Sequence, residues 1–155
     1  GYSRYSALAR YNIAVKQAKY SQAIQILDTY LKEDPADLPI LVQKALVLEN
    51  SHASGKKLIP VYETILQLDS ENALILNTYA YSLATHKGDL NQAEQMSFKA
   101  IQIQPETASY LDTYGWILHL KGQDSLAKFY LQKALDLAEE GPSKQEIYQH
   151  LEKIK

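Results

Sequence analysis

The stretch Leu111-Asp112-Thr113-Tyr114-Gly115-Trp116-Ile117-Leu118 restates Leu76-Asn77-Thr78-Tyr79-Ala80-Tyr81-Ser82-Leu83, thirty-five residues earlier. Each copy leads through a Gly-containing turn into a second amphipathic run, residues 88–103 and 122–137. A period of that length, made of two helices and a turn, points to a stacked helical solenoid, because one helix pair cannot bury its own apolar face and must pack on the next. The chain of 155 residues then reads as four short units and a cap sharing one elongated core.

Composition narrows what such a scaffold can do. Hydrophobic residues at 46% and charged residues at 22% exclude a disordered chain. Sixteen basic against eighteen acidic residues give a net charge of −2, and no Lys/Arg run exceeds Lys56-Lys57, which argues against a phosphate-tracking surface for nucleic acid. Cysteine is absent, so disulfides, thiolate nucleophiles and Cys-based metal sites are excluded. No apolar run approaches the roughly 20 residues that cross a bilayer, and Gly1-Tyr2-Ser3-Arg4 is not a signal peptide. A chain opening on Gly1 is expected to be a fragment of something longer. Absence of cysteine fits a reducing or an oxidising compartment alike, and any export signal would lie upstream of Gly1.

Close helix packing requires small residues where backbones approach, and Ala23, Ala45, Ala80, Ala93, Ala100, Gly115, Ala127 and Ala134 fall at such places. The pattern resembles the tetratricopeptide repeat, W-x2-L-G-x2-Y followed by A-x3-F and Pro. In the fourth unit Leu111, Tyr114, Gly115 and Leu118 supply the first helix pattern and Ala127, Leu131 and Ala134 the second, with Glu139 where Pro is expected. The third unit has Leu76, Tyr79, Ala80 and Leu83, then Ala93, Ser97, Ala100 and Pro105. The second is weaker: Leu41, Ala45 and Leu48 precede Leu58, Tyr62 and Ile65, with Ser70 in place of Pro. The first shows its second half in Tyr20, Ala23, Leu27, Tyr30 and Pro35, after a looser helix over about 5–16. Pro60 predicts a helix that starts late, near Lys56 or Lys57, or is kinked. Ser143, with Glu146 three residues on, is a candidate N-cap for a last helix whose Ile147, Leu151 and Ile154 share one face.

The resemblance implies an all-α, right-handed α-α superhelix of four helix pairs, about 4–37, 38–72, 73–107 and 108–141, closed by a capping helix over 142–155. Its narrower likeness is to the C-terminal repeats of long bacterial multi-repeat proteins, several of which are envelope lipoproteins or adaptors. It also implies a concave groove lined by the first helix of each pair, here Asn12 and Lys16, then Leu46, Glu49 and Asn50, then Asn77, Tyr81 and Thr85, then Asp112, Trp116 and His119. Helical spacing groups the last two sets independently, since residues three and four apart lie on one stripe. Tyr81 and Trp116 occupy equivalent places. They read either as aromatic anchors for a partner or as packing residues, Trp116 against the cap. Tyr62, Tyr79, Tyr114 and Tyr130 read as packing residues. The carboxylate clamp known in some members is broken, because Val42, Leu46, Asn77 and Tyr81 stand where further clamp residues are needed. An apolar and amide-mediated mode of binding a protein segment fits better.

Signals for chemistry are poor. Ser54-Gly55-Lys56-Lys57 lacks the first Gly, the Ser/Thr after the Lys and the preceding strand of a phosphate-binding loop. His52, His86, His119 and His150 do not form H-E-x-x-H, and His52 and His86 read as solvated turn residues. Asp112 and His119 are about two turns apart, too far for a direct pair. The expectation is therefore a protein-interaction module without catalytic residues, metal or cofactor, binding a protein or peptide partner. The alternative is a rigid spacer or self-association segment of a larger bacterial envelope protein, motivated by the aromatic-rich start at Tyr2, Tyr5 and Tyr11.

Overall fold

The computed structural model describes residues 3–154 and is helical throughout, with no strand among the described residues. Tyr2 lies outside them. By its internal contacts the chain divides into two compact units, Gly1–Ser70 and Glu71–Lys155.

The first unit holds α1 (Arg4–Lys16), α2 (Tyr20–Leu31), α3 (Leu38–Asn50) and α4 (Gly55–Leu68). Local chemistry explains the boundaries. Ser3 caps α1 by accepting from the Ser6 N–H, and Asp37 caps α3 by accepting from the Ile40 N–H. Ala7, Tyr11, Ala14, Ala23, Ile26, Leu27, Tyr30, Ile40 and Val47 form one core, so Tyr11 belongs to packing while Tyr5 is exposed. Asp37 does more than cap. Its carboxylate also takes the Arg4 Nε at 2.8 Å and the Tyr30 hydroxyl at 3.0 Å, tying α1, α2 and α3 together. The Arg4 guanidinium holds the Asp37 carboxyl below the usual carboxylate range, against the upward push of burial.

Pro60 corrects the expected start of α4. The helix begins at Gly55, one or two residues before the expected Lys56 or Lys57, and carries Pro60 in its second turn. Leu58, Val61, Tyr62 and Ile65 are all buried along one side, and that burial keeps the helix going past the N–H that Pro60 cannot donate to Lys56.

The second unit holds α5 (Ala73–Thr85), α6 (Leu90–Ile103), α7 (Ala108–Leu120), α8 (Asp124–Leu137) and α9 (Pro142–Ile154). Asn72 caps α5 and Asp89 caps α6 through their side-chain oxygens. The start of α9 is also corrected: Pro142 is its first residue and the Gly141 carbonyl accepts from the Gln145 N–H, so Ser143 sits inside the helix. Proline suits the first helical position because its missing N–H would have no partner there.

One turn geometry recurs at the end of each pair's first helix. The left-handed residue is Ala18, His52, Lys87 or Gly122, and the next N–H reaches back five residues: Lys19 to Ala14, Ala53 to Leu48, Gly88 to Leu83, Gln123 to Leu118. The three non-glycine residues take this strained region because that back-bond and the packing of the second helix leave no other path.

In the second unit the first helix packs on the second through small residues. A Cβ at Gly115 would meet the Leu131 Cγ at 2.8 Å and the Ala127 carbonyl oxygen at 3.1 Å, so only glycine allows this approach of α7 to α8. In the preceding pair Ala80 and Ser97 hold the positions equivalent in sequence, and both are fully buried. Tyr79 and Tyr114 are buried as expected, and Tyr130 meets Tyr114 edge-on at 4.8 Å.

Candidate functional site

The stripe predicted on α5 and α7 meets a third stripe from α9. Asn77 and Tyr81, Asp112 and Trp116, and Glu146 and His150 are each four residues apart, so each helix offers one pair of polar or aromatic side chains along one face. Ile147 and Ile154 are buried, which turns α9 so that His150 is buried against α7. His150 Nδ1 lies 2.7 Å from Asp112 Oδ1, and the Tyr81 hydroxyl donates to Glu146 Oε1 at 3.1 Å. The Trp116 ring stacks on His150 with centroids 4.4 Å apart and an interplanar angle of 20°. Lys153 places its ammonium 5.4 Å from the same indole centroid, on the scale of a cation–π contact.

Asn77, Thr78, Tyr81, Ser109, Asp112, Thr113 and Glu146 line a small cleft of about 210 Å³. Within it, burial pushes the Asp112 carboxyl up; the bond to His150 opposes this and the nearby Glu146 adds to it. The Tyr81 phenol is pushed up to about 12, first by burial and then by Glu146, so it is a neutral donor at any physiological pH. Asn77 Oδ1 is sealed from solvent without a hydrogen-bond partner, an arrangement that is costly for a polar atom unless something else satisfies it.

The other predicted residues take no part in these hydrogen bonds. His119 is within 5.0 Å of the Trp116 ring, but its Nδ1 pairs with Asp124 at 2.8 Å rather than with Asp112. Thr85 is exposed near the end of α5 and returns its hydroxyl to the Ser82 carbonyl. In the first unit Asn12, Lys16 and Asn50 are exposed, Leu46 is half-buried, and Glu49 accepts a hydrogen bond from Tyr62 of α4. His52 and His86 are exposed turn residues, with His86 Nδ1 near the Ser82 carbonyl.

Sequence reasoning missed Glu146, His150 and Lys153. It read the last helix as a cap whose Ile147, Leu151 and Ile154 share one face. The available signal was the Glu146-x3-His150 spacing, which puts a carboxylate and an imidazole on one side of a helix. The packing alternative for Trp116 describes its observed contacts, since the ring lies against the cap. No helix among the described residues is long and apolar enough to cross a membrane.

No family model matches the sequence. The chain is similar to the TPR repeat-containing protein PA4667 of Pseudomonas aeruginosa, at 31% identity over 122 residues; the match takes in 77% of this chain and about one fifth of that protein's length. Among solved structures it is similar to MamA, with a TM-score of 0.78 at 15% identity over 96% of this chain and 78% of MamA. It is likewise similar to PilF of Pseudomonas aeruginosa, with a TM-score of 0.74 at 21% identity over 96% of this chain and 76% of that one. A third similar structure is YrrB, described as a TPR protein with an unusual peptide-binding site, with a TM-score of 0.77 at 18% identity over 96% of this chain and 73% of YrrB. At these identities the structural likenesses establish the fold alone, an all-α stack of helix pairs.

Proposed function

The chain belongs to the tetratricopeptide repeat family, and on that premise we propose that it is a protein-interaction module whose α5–α7 face holds an extended segment of a partner protein. The observation that carries this reading is the orphaned Asn77 Oδ1 beside a cleft lined by Tyr81, Ser109, Asp112, Thr113 and Glu146. These side chains supply carboxylate, amide and hydroxyl groups that can take up the backbone N–H groups of an extended strand with little demand on its sequence. Tyr81 and Trp116 supply the amphipathic ring area that such a contact uses as anchors, with Asp112 and Asn77 orienting the segment. The structure of YrrB, described by its peptide-binding site, is an analogy for the mode and not for the ligand.

The test is selection of displayed random peptides on the intact chain, followed by amide shift mapping with the winning peptide. Shifts confined to α5, α7 and α9, lost in a Tyr81→Ala/Trp116→Ala double variant that keeps its helical circular dichroism, are expected. Shifts on α6 and α8 instead, or undiminished binding by the variant, would overturn the reading.

A second reading, a self-associating spacer in a longer protein, is favoured by a different surface. Leu126, Phe129 and Leu137 of α8 and Tyr148 of α9 are all exposed, with Phe129 at 61%. Light scattering over a hundredfold concentration range tests it, and a mass that stays monomeric counts against it.

A further inference from the structure

We propose that Asp112, Glu146 and His150 form a binding site for one first-row divalent transition ion of the zinc type, which clamps the cap helix α9 onto α7. One ligand atom from each of the three residues lies within 4.8 Å of the others, and two of the three side chains are buried. The set combines one imidazole nitrogen with two carboxylates, which suits zinc and its neighbours; calcium would need six or more oxygens, and magnesium an octahedral oxygen shell.

The fit follows from the distances. Zinc binds nitrogen and carboxylate oxygen at about 2.0–2.2 Å, so ligand atoms on a tetrahedral ion stand about 3.3 Å apart. His150 Nδ1 and Asp112 Oδ1, now at 2.7 Å, need to part by roughly half an ångström. Glu146 is exposed and joins α9 one turn before His150, so its flexible side chain can swing inward to complete the set. Ligation by Nδ1 replaces the hydrogen bond to Asp112 and leaves the imidazole proton on Nε2; an imidazolium releases one proton to solvent.

The surroundings favour a cation independently of the three ligands. Asn77, whose buried Oδ1 has no donor, is among the residues of the adjoining cleft, none of which is Lys or Arg; the nearby Lys153 ammonium lies over the Trp116 ring. The indole of Trp116 fixes the plane of the imidazole, and the Tyr81 hydroxyl holds Glu146, as outer partners do in metal sites. Three protein ligands leave a position for water or for a carboxylate or carbonyl from outside the chain.

The single tryptophan makes the site self-reporting. Titration of the intact chain with cobalt(II), which quenches indole emission at short range, is expected to quench Trp116 saturably at one equivalent, and zinc(II) is expected to compete. Glu146→Gln is expected to weaken the apparent affinity at least tenfold, and His150→Gln to abolish saturation. His52→Asn, in the first unit, is expected to change nothing. Absence of saturable quenching, or saturation unchanged in Glu146→Gln, overturns the proposal. Should His150→Gln lose helicity, the Glu146 variant decides alone, because its exposed side chain can change without disturbing the Asp112–His150 contact. The outcome is independent of whether a peptide binds the α5–α7 face, since no peptide is present.

Discussion

Replacing Gly115 by alanine tests the packing that joins α7 to α8. Alanine is the better helix former by about 1 kcal/mol, so on an exposed helix the change would stabilise. Here the added methyl would stand 2.8 Å from the Leu131 Cγ, 3.1 Å from its Cδ2 and 3.1 Å from the Ala127 carbonyl oxygen. Leu131 is fully buried and cannot swing away, and the carbonyl belongs to the backbone of α8. The helices must therefore separate, and overpacking of this kind costs about 1–3 kcal/mol, which leaves a net loss of about 1 kcal/mol after the helix-propensity gain. The sign should reverse when Leu131 is shortened. Leu131→Ala alone loses about 2–5 kcal/mol through its cavity, but in that background Gly115→Ala adds a methyl to vacated space and recovers part of the loss. The preceding pair carries such a combination of small residues, Ala80 and Ser97, at the positions equivalent in sequence. Urea unfolding followed by Trp116 fluorescence reports on the second unit, and the four proteins close a double-mutant cycle. An equal effect of Gly115→Ala in both backgrounds would refute the steric reasoning.

Two further perturbations address the first unit. Asp37→Ala should lower its stability by at least the roughly 1 kcal/mol of a lost N-cap, whereas Asp37→Asn keeps the cap and loses the charged contact with Arg4. The Asp37 carboxyl is lowered in the folded state, so its charge contributes fully above the ordinary Asp pKa and the contribution is lost as pH falls through the lower folded value; the gap between wild type and Asp37→Asn should close over that acidic window, and a gap unchanged down to pH 2 would count against the Arg4 contact. Pro60→Ala should raise stability by about 1–2 kcal/mol, since it restores an N–H to the second turn of α4 against a smaller gain in unfolded-state entropy. A neutral or harmful result in a thermal melt would show that α4 bears no cost there.

The helix pairs were legible in the sequence because their determinants are local. Apolar residues three and four apart, caps such as Asp37, Asn72 and Asp89, and small residues such as Ala80 and Gly115 act within a helix or between a helix and its immediate successor. Where local reading failed, at Pro60 and Ser143, two local preferences competed and packing or the preference of proline for the first turn prevailed. The candidate site had no such determinant. Asp112 and His150 are 38 residues apart, and Tyr81 and Glu146 are 65 apart. Each is an ordinary polar residue on its own helix; spacing puts Tyr81 with Asn77, Asp112 with Trp116 and Glu146 with His150, but nothing along the chain marks any of them as paired across helices. The direction in which a polar stripe points is decided by where the opposite, apolar stripe finds its partner. For α9 that is the burial of Ile147 and Ile154, which brings Glu146 to Tyr81 and His150 to Asp112 and Trp116. The sequence by itself determined a chain of helix pairs with a polar and aromatic stripe on α5 and α7, and only the tertiary structure decided that α9 completes that stripe, because burial is a property of contacts between helices and not of any one of them.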